Sequence, residues 1–205
     1  VDPVPHLICE GFSREESEDA LIELHYLGID NILAIRGDSD RSAGMTYPNG
    51  TTNEYAIDLV KQVDAMNHGQ YLETIANAEP TNFCIGVSGY PEKHFEAPNL
   101  DYDIHWVKKK VEAGADYIAT QMFFDNAPFH AFVEKVRAAG IDVPIVPGLK
   151  VLTSQRHLVS LPKSFHLNIP TELSEQLLAD PDHTAEIGRE WCVKQCEDLL
   201  KHDIP

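Results

Sequence analysis

Residues 36–38 read Arg-Gly-Asp and follow directly on the apolar run Ile32-Leu33-Ala34-Ile35. A guanidinium and a carboxylate at the end of a buried strand each cost on the order of several kcal/mol to desolvate unless partnered. A simple Arg36–Asp38 pair at a strand end is one reading. A ligand site at the carboxyl end of a strand is the other, and Gly37 favours it because it lets a ligand approach the backbone closely. An adhesion tripeptide is set aside, because nothing else in the chain is extracellular in character. Similar polar groups end other apolar runs: Tyr90-Pro91-Glu92-Lys93-His94, Thr120-Gln121 and Pro147-Gly148. Gln121, if buried, needs hydrogen-bond partners, so it reads as a ligand contact rather than a core residue. Lys108-Lys109-Lys110 is the densest basic run of the chain. It reads as a charged helix face, and also as a partner for a pyrophosphate. His6, alone in an apolar strand, reads as a core residue. The histidines share no metal-ligand spacing, so no metal is expected, and no Ser-His-Asp arrangement is legible.

The elements that must position these groups alternate. Segment 4–12 reads as a strand, and 13–28 as a helix that opens on the Ser13/Glu16 capping box and closes at Gly28. Strand 29–37, helix 54–66, strand 83–90, helix 101–114, strand 116–124, helix 127–140 and strand 143–152 follow, with helical sequence to the end. Apolar rather than alternating strands suit a parallel sheet covered on both faces. The 15-residue stretch SDRSAGMTYPNGTTN is long for a connection and reads as a functional loop. No GxGxxG follows the first strand and no Walker A motif occurs, which removes both nucleotide-loop folds. The favoured class is α/β, a (β/α)8 TIM barrel that is incomplete at five strands, read as one domain over 1–205.

The 205 residues carry 33 acids against 16 bases, a net charge of −17. Such a surface repels nucleic acid and anionic membrane, so neither is an expected partner. No run approaches the length of a membrane span. Cys9, Cys84, Cys192 and Cys196 form no zinc or dithiol motif and read as reduced thiols of a cytoplasmic protein.

Taken together, PHLICEGFS, NILAIRGDSD, YAIDLV, GYPEKHFEAPN, KKKVEAGADYIATQMFFD and AAGIDVPIVPGLK resemble methylenetetrahydrofolate reductases, in family order. The resemblance implies a barrel that holds FAD at the strand carboxyl ends. It implies reduction of the flavin by NADH or NADPH, and hydride delivery to 5,10-methylenetetrahydrofolate in one-carbon metabolism and methionine biosynthesis. Asp38 and Gln121 would be catalytic and would contact folate, with Gln121 meeting nicotinamide in the other half-reaction. His6, Arg36, Gly37, Asp38, Tyr55, Ala56, Tyr90, His94, Ala97, Asp103, Lys109 and Lys110 would line FAD. His157 stands where many relatives carry a folate-contacting glutamine. Trp106 stands at a flavin-facing position where a smaller polar residue is expected. Bacterial relatives form homo-oligomers, so the resemblance allows one here.

The family's FEFFPP-like segment, with its proton-donating glutamate, and its last strand, with a folate-contacting arginine, do not occur in the sequence. The 205-residue chain by itself is therefore expected to be at best a poor reductase. Two rivals remain open: a pterin-binding methyltransferase barrel, and a non-catalytic FAD- or folate-binding remnant.

Overall fold

The computed structural model describes residues 2–37, 48, 50–202 and 204. Elements follow in the order β1 (His6–Ile8), α1 (Arg14–Tyr26), β2 (Asn31–Ile35), α2 (Ala56–Asn67), β3 (Cys84–Gly89), α3 (Leu100–Glu112) and β4 (Tyr117–Met122). Then come α4 (Asn126–Ala138), β5 (Ile145–Gly148), α5 (His157–Phe165), α6 (Thr171–Ala179), a 3-10 turn (Pro181–His183) and α7 (Thr184–Lys201). The strands are neighbours in sequence order, β1-β2-β3-β4-β5. A doubly wound sheet reverses its order at a switch point. This order has no reversal and advances strand by strand, as a barrel wall does. Strand β1 is only three residues long, shorter than the apolar run suggested, and His6 within it is exposed rather than in the core. None of the helices among the described residues is long and apolar enough to cross a membrane.

The chain groups into two compact units, Val1–Ser88 with Val107–Ile118, and Gly89–Trp106 with Ala119–Pro205. In the first, β1 pairs with β2 and β2 with β3, all parallel, with His6 opposite Leu33 and Ala34 opposite Val87. Ile32, Ala34, Leu59, Val60, Val63, Met66, Ile85 and Val87 are buried, from alternate strand positions and one face of α2. The capping box forms as its spacing requires: Ser13 N–H donates to Glu16 Oε2 at 2.7 Å and Glu16 N–H to Ser13 Oγ at 3.1 Å. Asn67, the last residue of α2, aligns the start of β3. Its Nδ2 donates to Phe83 O at 2.9 Å, and its Oδ1 accepts from Phe83 N–H and Thr81 Oγ1, both at 2.8 Å.

Two contacts fix the start of β4 against β3. Asp116 N–H donates to Ile85 O and Asp116 Oδ2 accepts from Ile85 N–H, each at 2.7 Å. The Tyr117 ring then crosses Gly86 and donates its phenol to Ile32 O at 3.2 Å. Gly86 leaves the room: a Cβ there would overlap the ring.

The second unit has its own apolar centre. Phe124, Leu152, Leu161, Leu167, Leu173 and Leu177 are buried together, with Ile187 and Trp191 packed against them. Trp191 Nε1 donates to Phe124 O at 2.8 Å, so the indole brings its polar atom into this cluster satisfied. Gly148 on β5 leaves no room for a Cβ beside the β4 backbone at Thr120, and its N–H donates to Thr120 Oγ1 at 2.9 Å. Helix α4 starts at Asp125, whose Oδ1 accepts from Ala127 N–H at 2.9 Å.

Replacing Gly86 with Ala should lower stability by about 1–3 kcal/mol, since the Tyr117 ring must leave its hydrogen bond to make room. Urea denaturation reads this as a lower midpoint with unchanged slope. An unaltered midpoint would show that the ring is not confined there.

Candidate active site at the strand carboxyl ends

In the first unit, the parallel registers bring the ends of β1, β2 and β3 level. Cys9 N–H donates to Ile35 O at 3.1 Å, and Glu10 N–H to Arg36 O at 3.0 Å, so Arg36 and Gly37 stand beside residues 9 and 10. Gly37 has φ +98°, and a Cβ on it would overlap the Ile8 side chain. Glycine is therefore required by both conformation and space. The buried Cys9 thiol is pushed up to about 11, chiefly by desolvation, and so stays protonated rather than nucleophilic at neutral pH. Lys110, in the last turn of α3, reaches the end of β3 and donates to Ser88 O at 2.7 Å. Lys109 points instead to Glu112 at 2.8 Å and is half exposed. Tyr55 precedes α2 and is exposed, and Ala56 is its first residue.

In the second unit, the loop after β3 is held almost entirely by its own hydrogen bonds. Asp103, only 8% exposed, accepts from His94 N–H at 2.8 Å. Lys93 adopts φ +82° and donates to His94 O at 3.1 Å and Ala97 O at 2.8 Å. Glu96 N–H donates to His94 Nδ1 at 3.2 Å, so a neutral His94 carries its proton on Nε2. Tyr90 meets His94 edge-on at 4.7 Å. Phe95 lies 4.7 Å from His94 and stacks on His166 at 4.5 Å.

Gln121, at the end of β4, lines a narrow crevice with Tyr90, Glu92, Lys93, Phe165 and His166. Its Oε1 accepts from Met122 N–H at 3.0 Å, which leaves the amide NH2 as the donor end. In the same crevice Glu92 Oε2 accepts from Asn168 N–H at 2.7 Å and Asn168 Nδ2 at 3.0 Å. Burial outweighs these two bonds and pushes the Glu92 carboxyl above its ordinary range. The crevice thus combines an amide donor, a carboxyl with a raised proton affinity and aromatic walls.

The family model for methylenetetrahydrofolate reductase matches residues 1–205. The chain belongs to the methylenetetrahydrofolate reductase family. It is 36% identical over 200 residues to methylenetetrahydrofolate reductase 2 of Saccharomyces cerevisiae, covering 95% of this chain and 31% of that protein. It is 38% identical over 207 residues to methylenetetrahydrofolate reductase 1 of Schizosaccharomyces pombe, covering 100% of this chain and 32% of that protein. Identity to the 5,10-methylenetetrahydrofolate reductase of Pectobacterium carotovorum is 30% over 207 residues, covering 63% of that protein. The chain therefore spans about a third of the two fungal reductases and less than two thirds of the bacterial one.

For this reductase-family chain, the residues singled out in the sequence fall into two sets. His6, Arg36, Gly37, Tyr55, Ala56, Lys109 and Lys110 lie in the first unit, and Tyr90, His94, Ala97, Asp103, Gln121 and His157 in the second. Tyr90, His94, Ala97 and Asp103 come together in one hydrogen-bonded loop, as their shared motif suggested. Asp38 lies outside the described residues. His157 opens α5, and its Nδ1 accepts from Thr153 N–H at 3.3 Å. Trp106 is exposed, with its ring edge-on to His105 at 5.9 Å. Glu92 and Lys93 were not singled out as site residues. They sit inside the motif that drew attention to Tyr90 and His94, but only the Asn168 contact and the left-handed Lys93 backbone reveal their roles.

The Glu92 shift has a signed consequence. Its folded-state pKa lies above the ordinary 4.5, so its contribution to stability is present below pH 4.5 and is lost as pH rises through the folded value. Glu92→Gln keeps an oxygen to accept from Asn168 without the buried charge. The variant should be more stable than the parent at pH 7 and lose that advantage near pH 4. Thermal midpoints at the two pH values measure it, and an advantage larger at pH 4 would contradict the sign.

Proposed function

We propose that the chain forms the catalytic core for flavin-dependent reduction of 5,10-methylenetetrahydrofolate to 5-methyltetrahydrofolate, with NADH or NADPH as the reductant. The family match along residues 1–205 is the observation that carries this reading. Two features of the structure support an FAD ligand. Within the first unit Lys110 brings an ammonium to the end of β3, and within the second the Tyr90–His94 pair offers aromatic surface.

In this reading Lys109 and Lys110 hold the pyrophosphate, and Arg36, Gly37, Tyr55, Ala56, His6, Tyr90, His94, Ala97 and Asp103 line the remainder of the cofactor. When bound, FAD supplies the hydride carrier between the two substrates. Gln121 orients whichever partner occupies the crevice, donating from its amide NH2 to folate in one half-reaction and to nicotinamide in the other. Asp38, by its match to the family motif, is the carboxylate assigned to flavin and folate. Asp103 also holds the loop in place, accepting from the His94 N–H.

Titration with FAD should quench flavin fluorescence saturably. Lys109→Ala/Lys110→Ala should weaken binding about 100-fold, since each charged hydrogen bond is worth about 1.5–3 kcal/mol. Gln121→Ala should leave FAD binding unchanged and lower kcat/KM in the NADH–menadione half-reaction at least about 10-fold. Absence of flavin binding would overturn the reading. Folate binding without flavin would point to a pterin-dependent methyltransferase instead.

A further inference from the structure

Apart from the residues assigned to flavin and folate, two histidines and an aspartate meet between α4 and α7. One ligand atom each from His130, Asp198 and His202 lies within 4.8 Å of the others. Asp198 and His202 are four residues apart and share one face of α7 and its cap, while His130 comes from the facing side of α4. The separation of 68 residues between His130 and Asp198 hides the set from any motif search.

The carboxylate is already oriented as a ligand. Asp198 Oδ2 accepts from Asn126 Nδ2 at 2.7 Å, and Asn126 is held in turn by Gln195, whose Nε2 donates to Asn126 Oδ1 at 3.0 Å. Gln195 is itself buried, with its Nε2 also on Phe123 O at 3.2 Å. Outer partners of this kind fix the direction of a metal-binding carboxylate. The other oxygen, Oδ1, stands 3.6 Å from His202 Nδ1, too far for a hydrogen bond. His130 Nε2 lies 2.9 Å from Asp198 Oδ2. That is close to the spacing of about 3.3 Å between neighbouring ligands of a tetrahedral ion at about 2.0–2.1 Å. His202 Nδ1 is 2.8 Å from Asp198 O. Donation of Nδ1–H to that carbonyl fixes the tautomer with a lone pair on Nε2, a common arrangement for a ligating histidine. The two imidazoles lie 4.4 Å apart between ring centres. His202 is 56% exposed, so the site opens to solvent.

The geometry points to a site for a divalent transition metal of the zinc type, bound by His130, Asp198 and His202, which crosslinks α4 to α7. Two imidazoles and one carboxylate suit Zn2+, Co2+ and Ni2+ rather than Mg2+ or Ca2+, which take oxygen donors. Binding requires no redox change. The cation takes the place of the proton now bridging His130 Nε2 and Asp198 Oδ2, and water fills the open coordination position.

The test is metal titration of the whole chain, freed of metal by chelation, with Zn2+ and with Co2+ as an absorbing substitute. One equivalent should bind, and saturating Zn2+ should raise the thermal midpoint because it binds only the folded state. His130→Ala and His202→Ala should each weaken binding at least 100-fold and abolish the thermal shift, because even loss of a supporting partner costs 10–100-fold. Cys192→Ser/Cys196→Ser should bind as the parent does. His202 is largely solvent-exposed, so His202→Ala decides the matter even where His130→Ala fails to fold. No stoichiometric binding, or binding and thermal shift unchanged in His202→Ala, would overturn the assignment.

Discussion

The first unit depends on the crossing of the Tyr117 ring over Gly86 to the Ile32 carbonyl. One side chain from β4 passes over β3 and ends on β2, so three parallel strands are held in a single register. Parallel strands need this kind of outside help, because no tight turn sets their register. Asp116 supports the same alignment by exchanging two hydrogen bonds with Ile85. A slip of one residue would turn Arg36 and the end of β3 to opposite faces. The alignment of the β2 and β3 ends follows from this clamp.

The second unit reaches its precision differently. Its crevice stands on a loop that satisfies its own backbone, with Asp103 and Lys93 both spent on His94 and Ala97. Resemblance alone grouped Asp103 with the cofactor-lining residues. Its carboxylate is nearly buried and also accepts from a loop N–H, which holds the loop at His94. Glu92 has a comparable position: the Asn168 bonds tie the strand-end loop to the approach of α6, while burial raises its proton affinity. Holding polar groups rigid with satisfied partners before a ligand arrives is how a binding site avoids losing affinity to reordering.

The order of elements, the capping box of α1 and the α/β class were legible because periodicity, caps and helix-ending glycines are local properties. Each of the eight helices and strands expected between residues 13 and 152 is present, with ends shifted by a few residues, as fraying and caps allow. Strand β1 was less legible. Its apolar run is longer than the three residues that pair, and only pairing decides where a strand stops. His6 misled for the same reason, since an apolar neighbourhood in sequence says nothing about which side of the first strand is covered.

By itself, the sequence determined the family, the parallel α/β pattern and the strand-end location of the polar motifs, because each rests on residues close together in the chain. Tertiary structure alone decided which neighbours these polar groups meet: Asp103 on His94, Lys109 on Glu112, Lys110 on Ser88. It also decided that His130 meets Asp198 and His202, and that Gly86 must be glycine. These are contacts between distant segments, and their geometry exists only once the strands are in register and the helices have packed.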